Sequence, residues 1–222
     1  MWYNNKKMNR QKVITMEKIC YIIGAGDVYL KTKLTANEDD FIICADGGYA
    51  YRTLFGRDPD LVVGDFDSLG SIPETENKII APREKDETDM QLAIDEGLKR
   101  GFREFVILGA LGGDRFEHSV ANIQLLSYIC SVGGKATLVN GGKYFTAFRN
   151  SSITLPDTYK GFISVFSLRD ESKGVTIKNL AYEVEDYTMK STCPIGISNE
   201  FIGKESTISV ADGTLLVIYN VK

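Results

Sequence analysis

The sequence of 222 residues lacks several features that would assign it to a broad class. It has no apolar run near the roughly 20 residues that cross a bilayer, which excludes an integral membrane protein. It has no basic excess, because 26 Lys and Arg stand against 30 Asp and Glu and give a net charge of −4. We therefore expect no nucleic-acid partner. Any phosphate that the protein handles must be held by local cations or by a bound metal.

Histidine and cysteine are scarce. The single histidine, His118, excludes a histidine-rich zinc site, and a Ser-His-Asp triad could be built only around that residue. No two cysteines have the CxxC spacing of a redox or metal motif; the four are Cys20, Cys44, Cys130 and Cys193. Since there is also no secretory signal, we expect reduced thiols in a cytoplasmic protein.

The first 15 residues differ from the rest of the chain. Residues 1–15 are basic and polar, and they lack the apolar core of a signal peptide. We expect a disordered leader, or a translation start at Met16, just before the first apolar run. No function is assigned to this stretch.

Up to residue 148, short apolar runs bounded by glycines alternate with helical patterns. Such runs are typical of buried parallel strands, and they cover Lys18–Ile23, Phe41–Ala45, Leu61–Val63, Phe105–Leu108 and Lys135–Val139. Thr88–Arg100 has one apolar helical face and a capping box of Thr88 with Gln91, and Ser119–Cys130 is a second apolar helix. The alternation predicts an α/β, Rossmann-like domain with a mainly parallel sheet over residues 16–148.

From residue 149 to residue 222 the pattern changes to short strands without a long helix. The strand-like runs are separated by Gly, Asp, Asn and Ser clusters, and they cover Ile153–Leu155, Phe162–Leu168, Val175–Ile177, Thr207–Val210 and Leu215–Tyr219. Residues 211–214 (Ala-Asp-Gly-Thr) are typical of a tight hairpin turn. This part is predicted to be a C-terminal antiparallel β-sandwich domain.

Acidic residues follow the predicted strands at the sheet edge where α/β proteins bind ligands. Asp46 follows the second run, Asp65 and Asp67 follow the third, and Asp89 lies in the first turn of the helix that begins near Thr88. Carboxylates brought together repel each other unless a cation is held between them. Oxygen ligands alone select a hard ion, Mg²⁺ or Mn²⁺, which usually bridges to phosphates. The pattern predicts metal-assisted phosphoryl or nucleotidyl chemistry.

Structural explanations compete with this interpretation for two of the acids. Asp89 could be a helix N-terminal acid that the dipole favours, and Asp46 could form a turn before Gly47 and Gly48.

The absence of GxxxxGK[ST] excludes a P-loop kinase, and residues 24–26 lack the third glycine of a dinucleotide fingerprint.

Four blocks taken together resemble the thiamine pyrophosphokinase family. They are ADGG at 45–48, GDFDS at 64–68, KDETD at 85–89 and the glycine-rich GGDRFEH at 112–118, and the resemblance covers roughly residues 16–222. It implies a transferase that converts ATP and thiamine into thiamine diphosphate and AMP. It also implies a homodimer with each active site between the α/β domain of one subunit and the β-sandwich of the other.

The resemblance also implies roles for individual residues. The catalytic acids would be Asp46, Asp65, Asp67 and Asp89, of which Asp65, Asp67 and Asp89 would hold Mg²⁺ on the triphosphate, with Asp89 as the candidate proton acceptor. Contacts to ATP would come from Asp46, Lys85, Thr88, Arg115 and His118. Contacts to thiamine would come from Ser198 and Asn199.

Two departures from the family pattern leave alternatives open. The segment from Gly112 to His118 carries one extra residue and has Glu117 where relatives have aspartate, and Val217 stands where animal members carry a tryptophan. A pyrophosphokinase of the same fold could therefore act on another small alcohol, such as a pterin. A non-catalytic thiamine-binding protein is the other alternative, although a pure binder of a cation would not need the acidic set.

Overall fold

A computed structural model describes residues 18–29, 34–67, 70, 72–82, 84 and 86–221. The expected leader at residues 1–15, the alternative start at Met16 and the candidate ATP contact Lys85 lie outside the described residues. Across the described part of the chain, no helix is long and apolar enough to cross a membrane.

The described residues form strands and helices that alternate first and then give way to strands. The first half contains β1 (Ile19–Ile23), β2 (Phe41–Ala45), a 3₁₀ helix (Asp46–Tyr51), β3 (Leu61–Gly64), β4 (Lys78–Ile80), α1 (Asp89–Lys99), β5 (Glu104–Leu108), α2 (Phe116–Ser131) and β6 (Lys135–Asn140). The second half contains β7 (Lys143–Arg149), β8 (Ser152–Leu155), β9 (Phe162–Ser167), β10 (Glu171–Lys178), β11 (Val184–Lys190), β12 (Asn199–Glu200), β13 (Ser206–Ser209) and β14 (Thr214–Asn220).

The larger sheet has its strands in the order β12-β9-β14-β7-β6-β5-β1-β2-β3-β4. The six strands from β6 to β4 are parallel. In β1, β2 and β3 the apolar residues are buried on both faces, which explains the unbroken runs in the sequence. The chain moves outward from β1 through β2, β3 and β4 and then returns to β5 on the other side of β1. This topological switch point lies between β1 and β5, where such sheets open a crevice for ligands.

The smaller sheet is antiparallel, with strands in the order β11-β10-β13-β8. It packs on the β14 and β9 side of the larger sheet, where Val165 and Val217 meet Val175 and Ile208 in one buried cluster. The larger sheet continues without a break into this sandwich, because β7 pairs with β6 on one edge and with β14 on the other. The mixed α/β fold class with an antiparallel second sheet is confirmed.

The two faces of the parallel strands carry different coverings. Ile22 and Ile43 point to the face that α1 and α2 cover, in a cluster with Ile94 and Leu126. The alternate positions point to the opposite face, where residues of the 3₁₀ helix and of the segment after it pack. This alternation along each strand is the period of two that a strand imposes.

The structure adds four strands that the sequence patterns did not indicate: β4, β7, β11 and β12. In β11 only Met189 is buried, so its sequence has no apolar run. The hairpin expected at residues 211–214 is wrong, because β13 and β14 belong to different sheets and the turn crosses between them. Gly213 is required there for another reason: a Cβ at this position would lie 2.4 Å from the Oγ of Ser172.

Candidate active site

A cavity of about 450 Å³ opens at the carboxyl ends of the central parallel strands, at the switch point between β1 and β5. Its walls come from the loops after β1, β2, β3 and β5, from the segment that enters α1, and from the first turns of α2. Half of the lining residues have polar or charged side chains, namely Asp46, Asp65, Glu87, Thr88, Asp89, Asp114, Arg115, His118 and Asn122.

Asp46 is held over the end of β1 by an unusually close backbone contact. It is the first residue of the 3₁₀ helix and has a positive φ of 45°, which costs a non-glycine residue about 1 kcal/mol. Two residues later, Gly48 lies so close to β1 that a Cβ would be 2.0 Å from the carbonyl oxygen of Ile23. The lack of a side chain at Gly48 therefore allows the helix to pack directly against the strand end.

Asp65 and Asp67 are separated by a residue that fixes the loop. Phe66 has a φ of 60° and is only 3% exposed, so its ring is anchored in the apolar cluster on the 3₁₀-helix face. Asp65 lines the cavity, whereas Asp67 is exposed, and the backbone N–H of Asp67 donates to Oδ1 of Asp65 at 3.1 Å. The DFD sequence thus orients its two acids differently.

Asp89 begins α1 and points its carboxylate into the cavity from the helix N-terminus. Thr88 caps this helix, because its Oγ1 accepts a hydrogen bond from the N–H of Gln91 at 3.2 Å. The positive end of the helix dipole favours a carboxylate in this first turn. The structural explanation for Asp89 and its position in the cavity are therefore compatible.

One carboxylate oxygen from each of Asp46, Asp65 and Asp89 lies within 4.8 Å of the other two. At this separation two carboxylates repel by on the order of 3 kcal/mol if the effective dielectric constant is about 20. A divalent cation would relieve the repulsion, and three carboxylate oxygens suit a hard ion. These residues fit a metal site. Asp67, assigned to the metal from the family resemblance, is not one of the three.

The cavity is also lined by a guanidinium and an imidazole side chain. Arg115 and His118 both line it, and Arg115 precedes α2 directly. The Arg115 side chain is 72% exposed, and its Nε donates to Oε1 of Glu117 at 2.9 Å. This hydrogen bond from Arg115 lowers the pKa of Glu117 below its usual range. The extra residue in this segment thus leaves both Arg115 and His118 at the cavity.

Asn122 is a lining residue that the sequence patterns did not indicate. It is buried, and its Nδ2 donates to the carbonyl oxygen of Ala110 at 2.7 Å. The available signal was an amide in a mostly apolar helix, one turn after His118. Because an amide must be satisfied when it is buried, such a residue indicates a polar partner at that face.

Ser198 and Asn199 lie at the far edge of the larger sheet, where Asn199 begins β12 and Ser198 directly precedes it. Ser198 is exposed with a φ of 59°, and its N–H donates to Oγ of Ser164 at 3.1 Å. The buried Asn199 amide bonds the backbone of Tyr182 at both ends, at 2.9 and 2.7 Å. Six strand positions separate β12 from β1, or roughly 29 Å at about 4.8 Å per strand. Within one chain, these residues and the acidic cavity do not meet.

The fold and the site together define an α/β protein with a carboxylate cluster at the switch point and an attached β-sandwich. Residues 32–137 match the family model described as "Thiamin pyrophosphokinase, catalytic domain", and residues 151–215 match "Thiamin pyrophosphokinase, vitamin B1 binding domain". This chain belongs to the thiamin pyrophosphokinase family, as the four sequence blocks indicated.

Individual relatives agree with the family models over nearly the whole chain. Thiamine pyrophosphokinase of Bacillus subtilis (strain 168) is 28% identical over 210 residues, which are 90% of this chain and 98% of the relative. Its crystal structure superimposes with a TM-score of 0.79 at 27% identity, covering 92% of this chain and 100% of that one. A thiamin pyrophosphokinase family protein from Enterococcus faecalis gives 0.74 at 27% identity, with 93% and 100% covered. Thiamin pyrophosphokinase from Candida albicans shows the shared fold alone. Its TM-score is 0.69 at 14% identity, with 93% of this chain and 90% of that chain covered.

Proposed function

We propose that this protein transfers the diphosphoryl group of ATP to the hydroxyl of thiamine and releases thiamine diphosphate and AMP. The observation that carries the proposal is the group of three carboxylates within 4.8 Å, in a cavity that also contains Arg115 and His118. Family membership and the names of the relatives support thiamine as the acceptor. The four free thiols support the expected cytoplasmic location.

Asp46, Asp65 and Asp89 are the residues proposed to hold the metal, and their oxygen-only donor set favours Mg²⁺. Asp67 remains a proposed further acid of the same loop. When bound, the ion would neutralise charge on the triphosphate and so favour departure of AMP. The protein's own contribution is to hold three negative side chains together at one edge of the sheet.

Arg115 is proposed to contact phosphate oxygens, because a guanidinium can donate two parallel hydrogen bonds to a phosphate. Its present partner Glu117 is exposed, so exchanging that contact for a phosphate costs little. His118, Thr88 and Lys85 are proposed as further contacts to ATP. Of these, His118 and Thr88 line the same cavity.

The reaction forms one bond and breaks one. The thiamine hydroxyl oxygen attacks the β-phosphorus, the bond from that phosphorus to the bridging α–β oxygen breaks, and AMP leaves with that oxygen. The hydroxyl proton needs an acceptor, for which Asp89 is proposed because it enters the cavity from the start of α1. Holding the hydroxyl in line with the leaving oxygen supplies most of the remaining acceleration.

Thiamine is proposed to contact Ser198 and Asn199 of a second copy of the chain. The separation of roughly 29 Å supports this, since it exceeds the reach of one small molecule from the acidic cavity. Large apolar side chains are exposed near Ser198, as expected for a surface that another subunit covers; they include Phe162, Tyr182, Ile195, Ile197 and Ile202. A homodimer would thus complete two equivalent sites.

The test is product identification by mass after incubation of the protein with Mg-ATP, with and without thiamine. Thiamine-dependent AMP together with thiamine diphosphate is the expected result. ADP with thiamine monophosphate would overturn the diphosphoryl step. If folded protein binds thiamine but gives neither product, the non-catalytic alternative replaces the proposal. If it turns over only with another alcohol from a panel that includes pterins, the acceptor is different.

A further inference from the structure

The cavity is lined by residues from two structural groups, each with its own helix. α1 packs on β1, β2 and β3; Asp46 and Asp65 directly follow β2 and β3, and Asp89 is the first residue of α1. α2 packs on β6 and β7; Arg115 directly precedes this helix, and His118 lies in its first turn. The three carboxylates therefore belong to α1 with β1–β3, which we call the α1 half. Arg115 and His118 belong to α2 with β6 and β7, the α2 half.

A side-chain hydrogen bond joins the two helices. The hydroxyl group of Tyr128 on α2 donates to Oδ1 of Asp95 on α1 at 2.6 Å. Hydrogen bonds to a carboxylate are shorter and stronger than those between neutral groups. The bond to Asp95 raises the pKa of Tyr128, because ionisation of the phenol would remove the donated proton. Neither residue is among those that line the cavity.

The bond crosses a groove in which the two helices are not closely packed. This groove has a volume of about 460 Å³, and Asp95 and Tyr128 both line it. Its apolar lining includes Leu92, Leu98 and Val132, of which Val132 is 44% exposed. Close packing resists displacement of one element against another, whereas an open groove leaves that displacement unopposed. The hydrogen bond therefore limits how far α1 and α2 can move apart here.

Each helix can carry a displacement from this bond to the cavity. Asp95 lies six residues after Asp89, roughly 9 Å along α1. Tyr128 lies ten residues after His118, roughly 15 Å along α2. A helix is a rigid element over such lengths, so a shift at the bond moves its first turn as well. A shift of α2 relative to α1 thus changes the gap between the carboxylates and the side chains at the start of α2.

We propose that Asp95 and Tyr128 are positioning residues, whose hydrogen bond sets the separation of the α1 half from the α2 half and therefore of the three carboxylates from Arg115. This role rests on the proposed function. A triphosphate held by both halves reacts only when its β-phosphorus and the attacking hydroxyl are aligned, so a small misplacement lowers the rate although every group that contacts substrate is present. The carboxylates all lie in the α1 half, so breaking the bond should leave their affinity for Mg²⁺ unchanged.

The kinetic test is a double-mutant cycle with saturating ATP and thiamine. Tyr128→Phe removes the hydroxyl group and keeps the ring, and Asp95→Ala removes the acceptor. We expect each to lower kcat by about threefold to tenfold, with no change in the Mg²⁺ concentration that gives half of the maximal rate. The double variant should be no slower than either single variant, because both remove the same bond. Asp95→Asn keeps an acceptor oxygen and should recover most of the rate.

Glu96→Ala is the matched control. Glu96 is the next acid along α1, and it accepts hydrogen bonds from Lys99 and Arg100 at the end of the same helix. Its loss should lower the stability of the helix end without changing kcat. A merely structural role of the Tyr128–Asp95 bond would give the same pattern as this control.

A distance measurement reports the displacement without turnover. Nitroxide labels are attached after Asp39→Cys and Gln124→Cys, at one exposed position in each half, in a Cys193→Ser background. An excess of unlabelled chain keeps the measured pairs within one chain. Electron paramagnetic resonance should give a broader or shifted distance distribution for Tyr128→Phe and Asp95→Ala than for the wild type. Glu96→Ala should keep the wild-type distribution.

Four outcomes would overturn the proposal: a normal kcat for Tyr128→Phe, additive losses in the double variant, a changed Mg²⁺ requirement, or an unchanged distance distribution. Thermal melting identifies variants that fail to fold, and Asp95→Ser then replaces Asp95→Ala. If the wild type makes no thiamine diphosphate, the proposed function fails, and the distance measurement still tests whether the bond sets the separation of the two halves.

Discussion

The backbone of Gly64 packs directly against the backbone of Asp46. A Cβ on Gly64, whose φ is 151°, would lie 3.0 Å from the Cα and 3.1 Å from the Cβ of Asp46. This contact brings the end of β3 against the residue that follows β2. Asp65, the next residue along the chain, is thereby set beside Asp46 with their carboxylate oxygens within 4.8 Å. A glycine thus determines the spacing of two acids.

Gly64→Ala should therefore reduce activity far more than backbone strain alone would. The new methyl group must push the Asp46 backbone away and separate the carboxylates. We therefore expect kcat/KM to fall by at least about tenfold and the free energy of unfolding to fall by about 1–3 kcal/mol. Gly133→Ala is the matched control, because Gly133 also has a positive φ, 82°, but a Cβ there would have no described atom within 4 Å. Steady-state kinetics and urea unfolding measure both effects. Equal kinetic losses in the two variants would contradict this account.

Asp65→Asn should lower kcat by at least about 100-fold and raise the Mg²⁺ concentration needed for half-maximal rate, since it removes one of three clustered charges. Titration of the rate with Mg²⁺ checks this, with the exposed Asp58→Asn as the control. An unchanged Mg²⁺ requirement would argue against the metal site.

Asp67→Asn should also lower turnover if the family-based assignment is right. A normal rate would remove Asp67 from the metal set and leave the group of three.

The fold was predictable where burial leaves a clear pattern in the sequence. β1 and β2 are buried on both faces and appear as unbroken apolar runs, and Thr88 with Gln91 indicated the start of α1. β11 was not predictable, because a mostly exposed strand is held by its pairing with β10 rather than by an apolar pattern. The crossing at residues 211–214 has the same local sequence as a hairpin, and only tertiary packing distinguishes the two.

The site was predictable in its residue types but not in its geometry. Acids after parallel strands must lie at one edge of the sheet, which brought Asp46, Asp65 and Asp67 into consideration, and Asp89 was added as an acid in the first turn of the helix. The different orientations of Asp65 and Asp67 depend on the positive φ of Phe66 and on the burial of its ring. No pattern in a single sequence reports a backbone angle at a phenylalanine. The hydrogen bond from the N–H of Gly113 to Oδ2 of Asp27, which joins the loops after β5 and β1, likewise links residues 86 positions apart.

Arg115→Ala should raise the KM for ATP by about tenfold or more, because a guanidinium facing phosphate can donate two charge-assisted hydrogen bonds. Arg115→Lys should recover only part of the loss, since a lysine presents a single charged group without that fork. Arg169→Ala is the control, because Arg169 is another exposed arginine and pairs with Asp212 in the sandwich. Full recovery by lysine would show that charge alone is needed.

Mixing two inactive variants should restore activity if each site is shared between subunits. Asp65→Asn damages the acidic cavity, and Ser198→Arg blocks the candidate thiamine surface. A heterodimer of the two contains one site in which both residues are intact, so about half of the wild-type activity per heterodimer is expected under the symmetry of a two-site dimer. Differently tagged chains allow the heterodimer to be purified. A pure but inactive heterodimer would contradict the shared site.

Thiol reactivity should distinguish one cysteine from three. Burial raises the pKa of Cys20 and Cys44 to about 12 and that of Cys130 to about 11, so these thiols remain protonated and inaccessible in the folded protein. Cys193 is exposed. A thiol reagent at pH 8 should therefore modify one equivalent in the native protein and four after denaturation. Rapid native modification of more than one equivalent would contradict the buried positions.

The same three thiols predict how stability changes at high pH. Above about pH 9, the unfolded chain loses these protons while the folded chain keeps them, so the unfolded state binds fewer protons and stability falls as pH rises. The decrease should continue up to about pH 11–12, where the folded thiols ionise. Urea unfolding at several pH values should show that the free energy of unfolding of the Cys44→Ala variant falls less steeply with pH over this range than that of the wild type. An identical slope would remove Cys44 from the explanation.

The central claim is that three carboxylates from the ends of β2 and β3 and from the start of α1 form one metal and phosphate site. A crystal grown with Mn²⁺ and a non-hydrolysable ATP analogue tests it directly through the anomalous signal of manganese. We predict a peak at about 2.0–2.3 Å from carboxylate oxygens of Asp46, Asp65 and Asp89, with the triphosphate on its open side. Manganese and triphosphate bound away from these three residues would contradict the account.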